Sequence, residues 1–185
     1  MTTCCGKRQR LACIAAHIID NCAVGDLLSL GAPPAGVDLR FDVSLWPLSV
    51  ITMPPVLTVE DIQYMQECYE LVFAAPTRHA LIVDTTTLVG VPDATLRRQM
   101  KAFEDSRRPI IREKNIGSAI IIQSAVVRGA YTALRWISPQ PAPNRAFPNL
   151  REAAEWCVQG IEEDGQIVPI AAYRLAGLAE HSSAG

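Results

Sequence analysis

The chain has 185 residues, of which 49% are apolar and 19% charged, and a formal net charge of −2. That length supports one domain with a real core, and the near-neutral balance supplies no global field that would favour nucleic acid or a membrane surface. The six cysteines form no C-x-x-C pair and have no histidine at finger-like spacing, which argues against a zinc site. A chain this rich in core residues needs no disulfide framework, so a reducing, cytoplasmic compartment is the simplest expectation.

In chain order, Lys7, Arg8 and Arg10 precede the apolar run LACIAAHII, the outline of a signal peptide. The run is short, Asp20, Asn21 and Asp26 follow it, and His17 and Asp20 interrupt any window long enough to cross a membrane. Cys4 and Cys5 beside basic residues resemble a palmitate acceptor, but an extension or a short docked helix is the plainer reading. GAPPAGVDLRFDVS, residues 31 to 44, is Gly- and Pro-rich and reads as a linker. Residues 1–44 are therefore expected to be an extension and linker, 45–163 an α/β domain, and 164–185 a tail with a short helix around Ala171 to Glu180.

Within the domain, LWPLSVITM (45–53) has strand composition, with Pro47 at an edge or outside the ladder. Thr58 opens a helix, and Asp61 three residues later makes a near capping box. Ile62, Met65, Tyr69, Val72 and Phe73 recur at helical spacing, and Pro76 ends the segment. HALIVD (79–84) is a continuous apolar run, as in a strand buried on both faces. A second helix is expected from 92 to about 108, with Leu96, Met100 and Phe103 on one stripe and Pro109 breaking or kinking it. IGSAIIIQ (116–123) is another buried strand. Ser124 caps a third helix carrying Val127, Tyr131, Leu134 and Ile137. RAF (145–147) is a brief strand, and Asn149 with Glu152 caps a fourth helix whose stripe is Leu150, Ala153, Cys157 and Ile161. Cys68 and Cys157 fall on apolar stripes and read as small buried hydrophobes.

Alternation of strands and helices predicts an α/β fold with about four strands in a mostly parallel sheet and helices packed on it. Right-handed crossovers place the strand C-termini on one rim, where open α/β sheets usually bind their ligands. The loops after Asp84 and Gln123 share that rim.

ALIVDTTTLVGVPDATLRRQM (80–100) and VRGAYTALRWISPQPAPNRAFPNLREAAEW (127–156), with the element order over 45–163, resemble the STAS domain, the fold of anti-sigma-factor antagonists. The similarity is to the bacterial branch that borders on the CRAL-TRIO lipid-transfer fold. It covers about two-thirds of the chain and rests on pattern and order. The resemblance implies a regulatory phosphorylation site at the start of the second helix, a serine in the antagonists. Here that region is Pro92-Asp93-Ala94-Thr95, without a serine. Asp93 would put a fixed negative charge at the helix N-terminus and mimic a phosphorylated state, or simply cap the helix, the plainer reading. Thr95 remains a hydroxyl at the helix end that can accept a phosphate.

Asp84 ends its strand at the rim as a metal ligand, a base, or the acceptor of an Asx turn over the amides of Thr86 and Thr87; the turn is the simplest of these. Residues 97–114 form a locally basic segment, with Arg97, Arg98, Lys101, Arg107, Arg108, Arg112 and Lys114 against Glu104, Asp105 and Glu113. Such a segment suits an acidic protein, a lipid headgroup or a phosphate backbone, or is just a solvated helix face. No aromatics interleave it as single-strand binding would require. Arg128, Arg135 and Trp136 on the third helix form another binding candidate, or Trp136 simply covers the Pro-rich loop that follows. No G-x-S-x-G, P-loop or G-x-G-x-x-G is present, and the three histidines are scattered.

The expectation is a non-enzymatic regulatory module that binds another protein, or itself, through Asp84, Thr86, Thr87, Asp93, Thr95, Arg97 and Arg98. It uses no cofactor or metal, binds no specific nucleic acid and has no transmembrane segment. The alternative is a small lipid or apolar-ligand carrier, which a cavity lined by Leu96, Met100, Phe103 and Val127 would support.

Overall fold

Arg40, Asp42 and Ser44 face solvent while Phe41 and Val43 are buried, the period of two that marks a half-buried strand. In the computed structural model, which describes residues 30–90, 92–125, 128–129, 131–132 and 140–178, this segment is β1 (Arg40–Leu45). The linker expected over 31–44 therefore ends five residues early, and its last residues belong to the sheet. Trp46 and Pro47 turn the chain, and β2 (Leu48–Thr52) returns antiparallel to β1. Pro47 stands outside the ladder, as its missing N–H requires. The single strand expected over 45–53 is thus the corner of a hairpin plus β2.

Thr58 caps α1 (Val59–Phe73) in a complete capping box with Asp61. Then follow β3 (His79–Asp84), α2 (Ala94–Lys114), β4 (Asn115–Ile121), β5 (Asn144–Phe147), α3 (Leu150–Glu163) and α4 (Ile170–Leu175). Among the described residues the sheet has five strands in the order β1-β2-β3-β4-β5. The β2–β3, β3–β4 and β4–β5 pairs are parallel, so the sheet is mostly parallel as expected, with one antiparallel edge added.

Alternate residues of these strands feed two cores. Phe41, Val43, Ile51 and Leu81 face α1 and α2, where Ile62, Met65, Cys68, Val72 and Leu96 are buried. Leu48, Ala80, Ile82, Ala119 and Ile121 face the other way, onto Ala153, Ala154, Cys157, Val158 and Ile161 of α3. The expected stripe of α3 is thus its buried face, and Asn149 caps it by accepting from the Glu152 amide at 3.0 Å. Part of the expected tail also belongs to this second core, because Val168, Ala172 and Ala176 bury against it through α4.

Cys68 and Cys157 are buried hydrophobes as expected, and burial pushes their thiols up to about 11 and about 12. Helix α2 runs through Pro109 to Lys114 instead of ending near 108. Proline removes one bond, to the Asp105 carbonyl, and both residues lie on the solvent side, so that carbonyl is not buried by the loss. Tertiary contacts hold the last turns. Arg107 pairs with Glu70 at 2.5 Å, and Lys114 Nζ donates to the Ala75 carbonyl at 3.0 Å.

Gly117 in β4 lets Trp156 of α3 lie against the sheet, since a Cβ there would meet Trp156 Cη2 at 2.6 Å. Gly117→Ala is expected to displace the indole and destabilise the fold by about 1–3 kcal/mol. Denaturation followed by tryptophan fluorescence checks this, and an unchanged midpoint would mean that the ring moves aside freely.

Candidate functional site: the rim at the ends of β2, β3 and β4

The parallel registers Thr52↔Asp84 and Asp84↔Ile121 bring the ends of β2, β3 and β4 to one level. The loop after β3 is tied to both neighbours there. Met53 N donates to the Asp84 carbonyl at 2.9 Å, and Thr87 Oγ1 donates to the Met53 carbonyl. On the other side Thr85 Oγ1 donates to the Ile121 carbonyl at 2.5 Å. Val89 N donates to the Pro55 carbonyl at 2.8 Å, joining this loop to the one after β2. Gly90 then turns with φ +78°, a conformation that disfavours other residues.

Asp84 Oδ1 accepts from the Thr86 amide at 2.9 Å, so it makes the Asx turn expected of it, through Thr86 alone. Thr87 contributes its hydroxyl instead, to β2. Asp93 is the N-cap of α2, and its Oδ1 accepts from Thr95 N at 2.7 Å and Leu96 N at 2.9 Å. The capping geometry is therefore present in full. Thr95 is exposed, and its Oγ1 accepts from Arg98 at 3.3 Å. Arg97 donates to the Pro92 carbonyl at 2.5 Å and Arg98 Nε to the Ala94 carbonyl at 3.2 Å.

The seven predicted residues thus fall into two groups at the same end of the sheet. Asp84, Thr86 and Thr87 shape the loop, while Asp93, Thr95, Arg97 and Arg98 form the first turn of α2. No hydrogen bond or ion pair joins the two groups among the described residues. The other cations of the basic segment are largely neutralised: Lys101 pairs with Asp105, Arg107 with Glu70 and Arg108 with Asp105. Arg97 and Arg98 have no acidic partner among the described residues, although a helix N-terminus disfavours positive charge.

Sequence reasoning did not single out Val56 and Val89. They sit on the two loops joined at Pro55, and are 71% and 76% exposed. An apolar residue in a turn-rich loop was the only available signal. Arg128 folds back onto the carbonyls of Ile122 and Gln123, at 2.6 and 2.7 Å, and so serves the end of β4. Arg135 and Trp136 lie outside the described residues.

A concavity lies on the face of the sheet that packs against α1 and α2. It is a cavity of about 220 Å3 between the sheet, α1 and α2. Met65 and Tyr69 come from α1, Leu81 and Val83 from β3, and Met100 and Phe103 from α2. Two of the residues expected to line such a space, Met100 and Phe103, do so. Leu96 packs instead in the core beside it, and Val127 lies outside the described residues. No helix among the described residues is long and apolar enough to cross a membrane.

No protein-family model matches this chain, and no curated protein sequence matches it. Among solved structures, it is similar to an uncharacterized protein of the DUF3478 family with a SpoIIAA-like fold from Shewanella loihica PV-4. The TM-score is 0.52 at 17% identity, over 69% of this chain and 98% of that one. The chain therefore has a SpoIIAA-like, that is STAS-like, α/β fold.

Proposed function

We propose that this chain is a non-enzymatic regulatory module that binds an acidic surface of another protein through the rim. The observation that carries this reading is the combination of a pinned loop and unspent contacts. The loop from Thr85 to Gly90 is tied to β2 and β4, which lowers the ordering cost of docking. It presents Val89 beside Val56, and the adjoining first turn of α2 presents Arg97 and Arg98 without acidic partners among the described residues. Apolar anchors beside uncompensated charge are what a specific, steered contact uses. The carboxylates of this rim are already engaged in backbone turns, which favours binding over proton-transfer chemistry.

The test is native mass spectrometry of the tagged chain taken from its host, followed by affinity measurement with the partner. Val89→Asp and the double change Arg97→Glu, Arg98→Glu are each expected to weaken binding at least tenfold without moving the unfolding midpoint. The charge-reversal variant should also lose the salt dependence of association. A partner that binds all variants equally would place the interface elsewhere.

The cavity favours a second reading, a small carrier of an apolar ligand. A space of this volume beneath flexible methionines suits a small apolar guest.

A further inference from the structure

We infer that His79 triggers an acid-operated joint at the base of the sheet, opposite the rim: a proton on its buried ring releases the hairpin corner at Trp46 and the last turn of α2 while the rest of the fold stays closed. The base is where three helices end. Lys114, in the last turn of α2, donates from Nζ to the Ala75 carbonyl at 3.0 Å and the Pro76 carbonyl at 3.4 Å, just past the end of α1. Arg78 donates from Nε to the Glu113 carbonyl of α2 at 3.1 Å and pairs with Asp164 at the end of α3. The hairpin corner is tied to the same place. Trp46 Nε1 donates to Thr77 Oγ1 at 3.0 Å, and the Ala80 amide donates to the Pro47 carbonyl at 3.0 Å. His79 sits inside this set of ties, fully buried, with neither ring nitrogen hydrogen-bonded.

The hairpin corner and the end of α1 face the imidazole with Trp46 and Phe73, rings that offer its N–H groups no carboxylate or carbonyl. The charged groups that act on it are both cations, Lys114 of α2 and Arg78 of the preceding loop, and together with burial they lower its pKa to about 4. The carboxylates nearest those cations, Glu113 and Asp164, pair with them instead. An imidazolium therefore gains stability by reaching water. Trp46 is the cover with least to hold it. It is half-buried and fixed by one side-chain hydrogen bond, whereas Phe73 is buried. The bonds from Arg78 to Glu113 and from Lys114 to Pro76 lie at the surface, where water can take their place. Opening the base uncovers Trp46 and His79 but leaves the buried faces of α1 and α3 packed, so it costs less than unfolding.

The experiment is hydrogen exchange of the full chain, read by mass spectrometry at pH 7 and pH 5 and corrected for the chemical pH dependence of exchange. Segments 44–48, 75–80 and 110–114 report the joint, and 153–161 of α3 reports the rest of the fold. Opening of the joint segments is expected to rise about twentyfold at pH 5, the gain supplied by a site whose pKa moves from about 4 to 6.5 on opening. It should not respond to urea well below the unfolding midpoint, because little surface is exposed. Helix α3 should open less at both pH values and should respond to urea. His79→Phe should abolish the pH response of the joint. A response that survives this replacement would overturn the role of His79, and so would its absence from the natural chain. Equal opening of the joint and α3 at pH 5, with the same response to urea, would mean that His79 meets the proton only in the fully unfolded chain, and the joint falls. That comparison needs the natural chain alone and does not depend on the folding of His79→Phe.

Discussion

An Asp61→Ala variant is expected to lose about 3 kcal/mol of folding stability, read as an earlier midpoint in urea at neutral pH. Asp61 is fully buried, yet its carboxylate accepts four hydrogen bonds. Oδ1 receives the amides of Asp38 and Leu39, each at 3.0 Å. Oδ2 receives the Thr58 amide at 3.0 Å and the Thr58 hydroxyl at 2.7 Å. One side chain therefore joins the N-terminus of α1 to the chain entering β1. Truncation leaves three backbone N–H groups without an acceptor, and each costs about 1–3 kcal/mol before any relaxation or water entry. Burial by itself would raise the carboxyl pKa, but the bonds from Leu39, Thr58 and Asp38 outweigh it and hold the group below its ordinary 3.8. A depressed carboxyl stabilises the fold above that value and ceases to do so as the pH falls below it. An Asp61→Ala midpoint equal to that of the natural chain would mean that water fully replaces the carboxylate.

A His79→Phe variant is expected to remove an earlier stage of acid destabilisation. His79 begins β3, fully buried, with Trp46 stacked at 5.7 Å and Phe73 at 6.1 Å. Neither ring nitrogen has a hydrogen-bond partner. Burial, with Lys114 and Arg78 nearby, lowers its pKa from 6.5 to about 4. The neutral ring is thus the native form, and the unfolded chain takes up the proton first as the pH falls. Stability from this site is complete above pH 6.5 and declines toward pH 4, by about 3 kcal/mol in all. The natural chain should lose stability through that window, whereas His79→Phe should be flat there and within about 1 kcal/mol of it at pH 7. Both should then share the decline below 3.8 to which Asp61 contributes. A slope between pH 6.5 and 4 that persists in the variant would assign it to other groups.

These two residues also mark the division between local and tertiary information. The Thr58–Asp61 spacing announces a capping box, because its reciprocal bonds span three residues of one segment. The same spacing is silent on Asp38 and Leu39, which reach Asp61 across more than twenty residues. His79 reads as one of three scattered histidines until the fold brings Trp46 and Phe73 of α1 against it.

The amino-acid sequence alone determined the parallel core strands, the stripes of α1 and α3, and the caps at Thr58, Asp93 and Asn149. Each depends on periodicity or on a side chain bonding within its own turn. It also placed Asp84 and Asp93 at one rim, since strand–helix alternation leaves little choice of handedness. Edge strand β1 had a legible alternation in RFDVSL, but the glycines and prolines before it outweighed that signal. Tertiary structure decided what depends on distant partners. β1 exists because β2 supplies its ladder, and α2 continues past Pro109 because α1 and the loop after it hold the last turn. The C-terminal segment becomes α4 because α3 offers an apolar face. The cavity beside α1 and α2 belongs to this second class as well. Its lining comes from α1, α2, β3, β4 and β5 together, and no single stretch of residues encodes it.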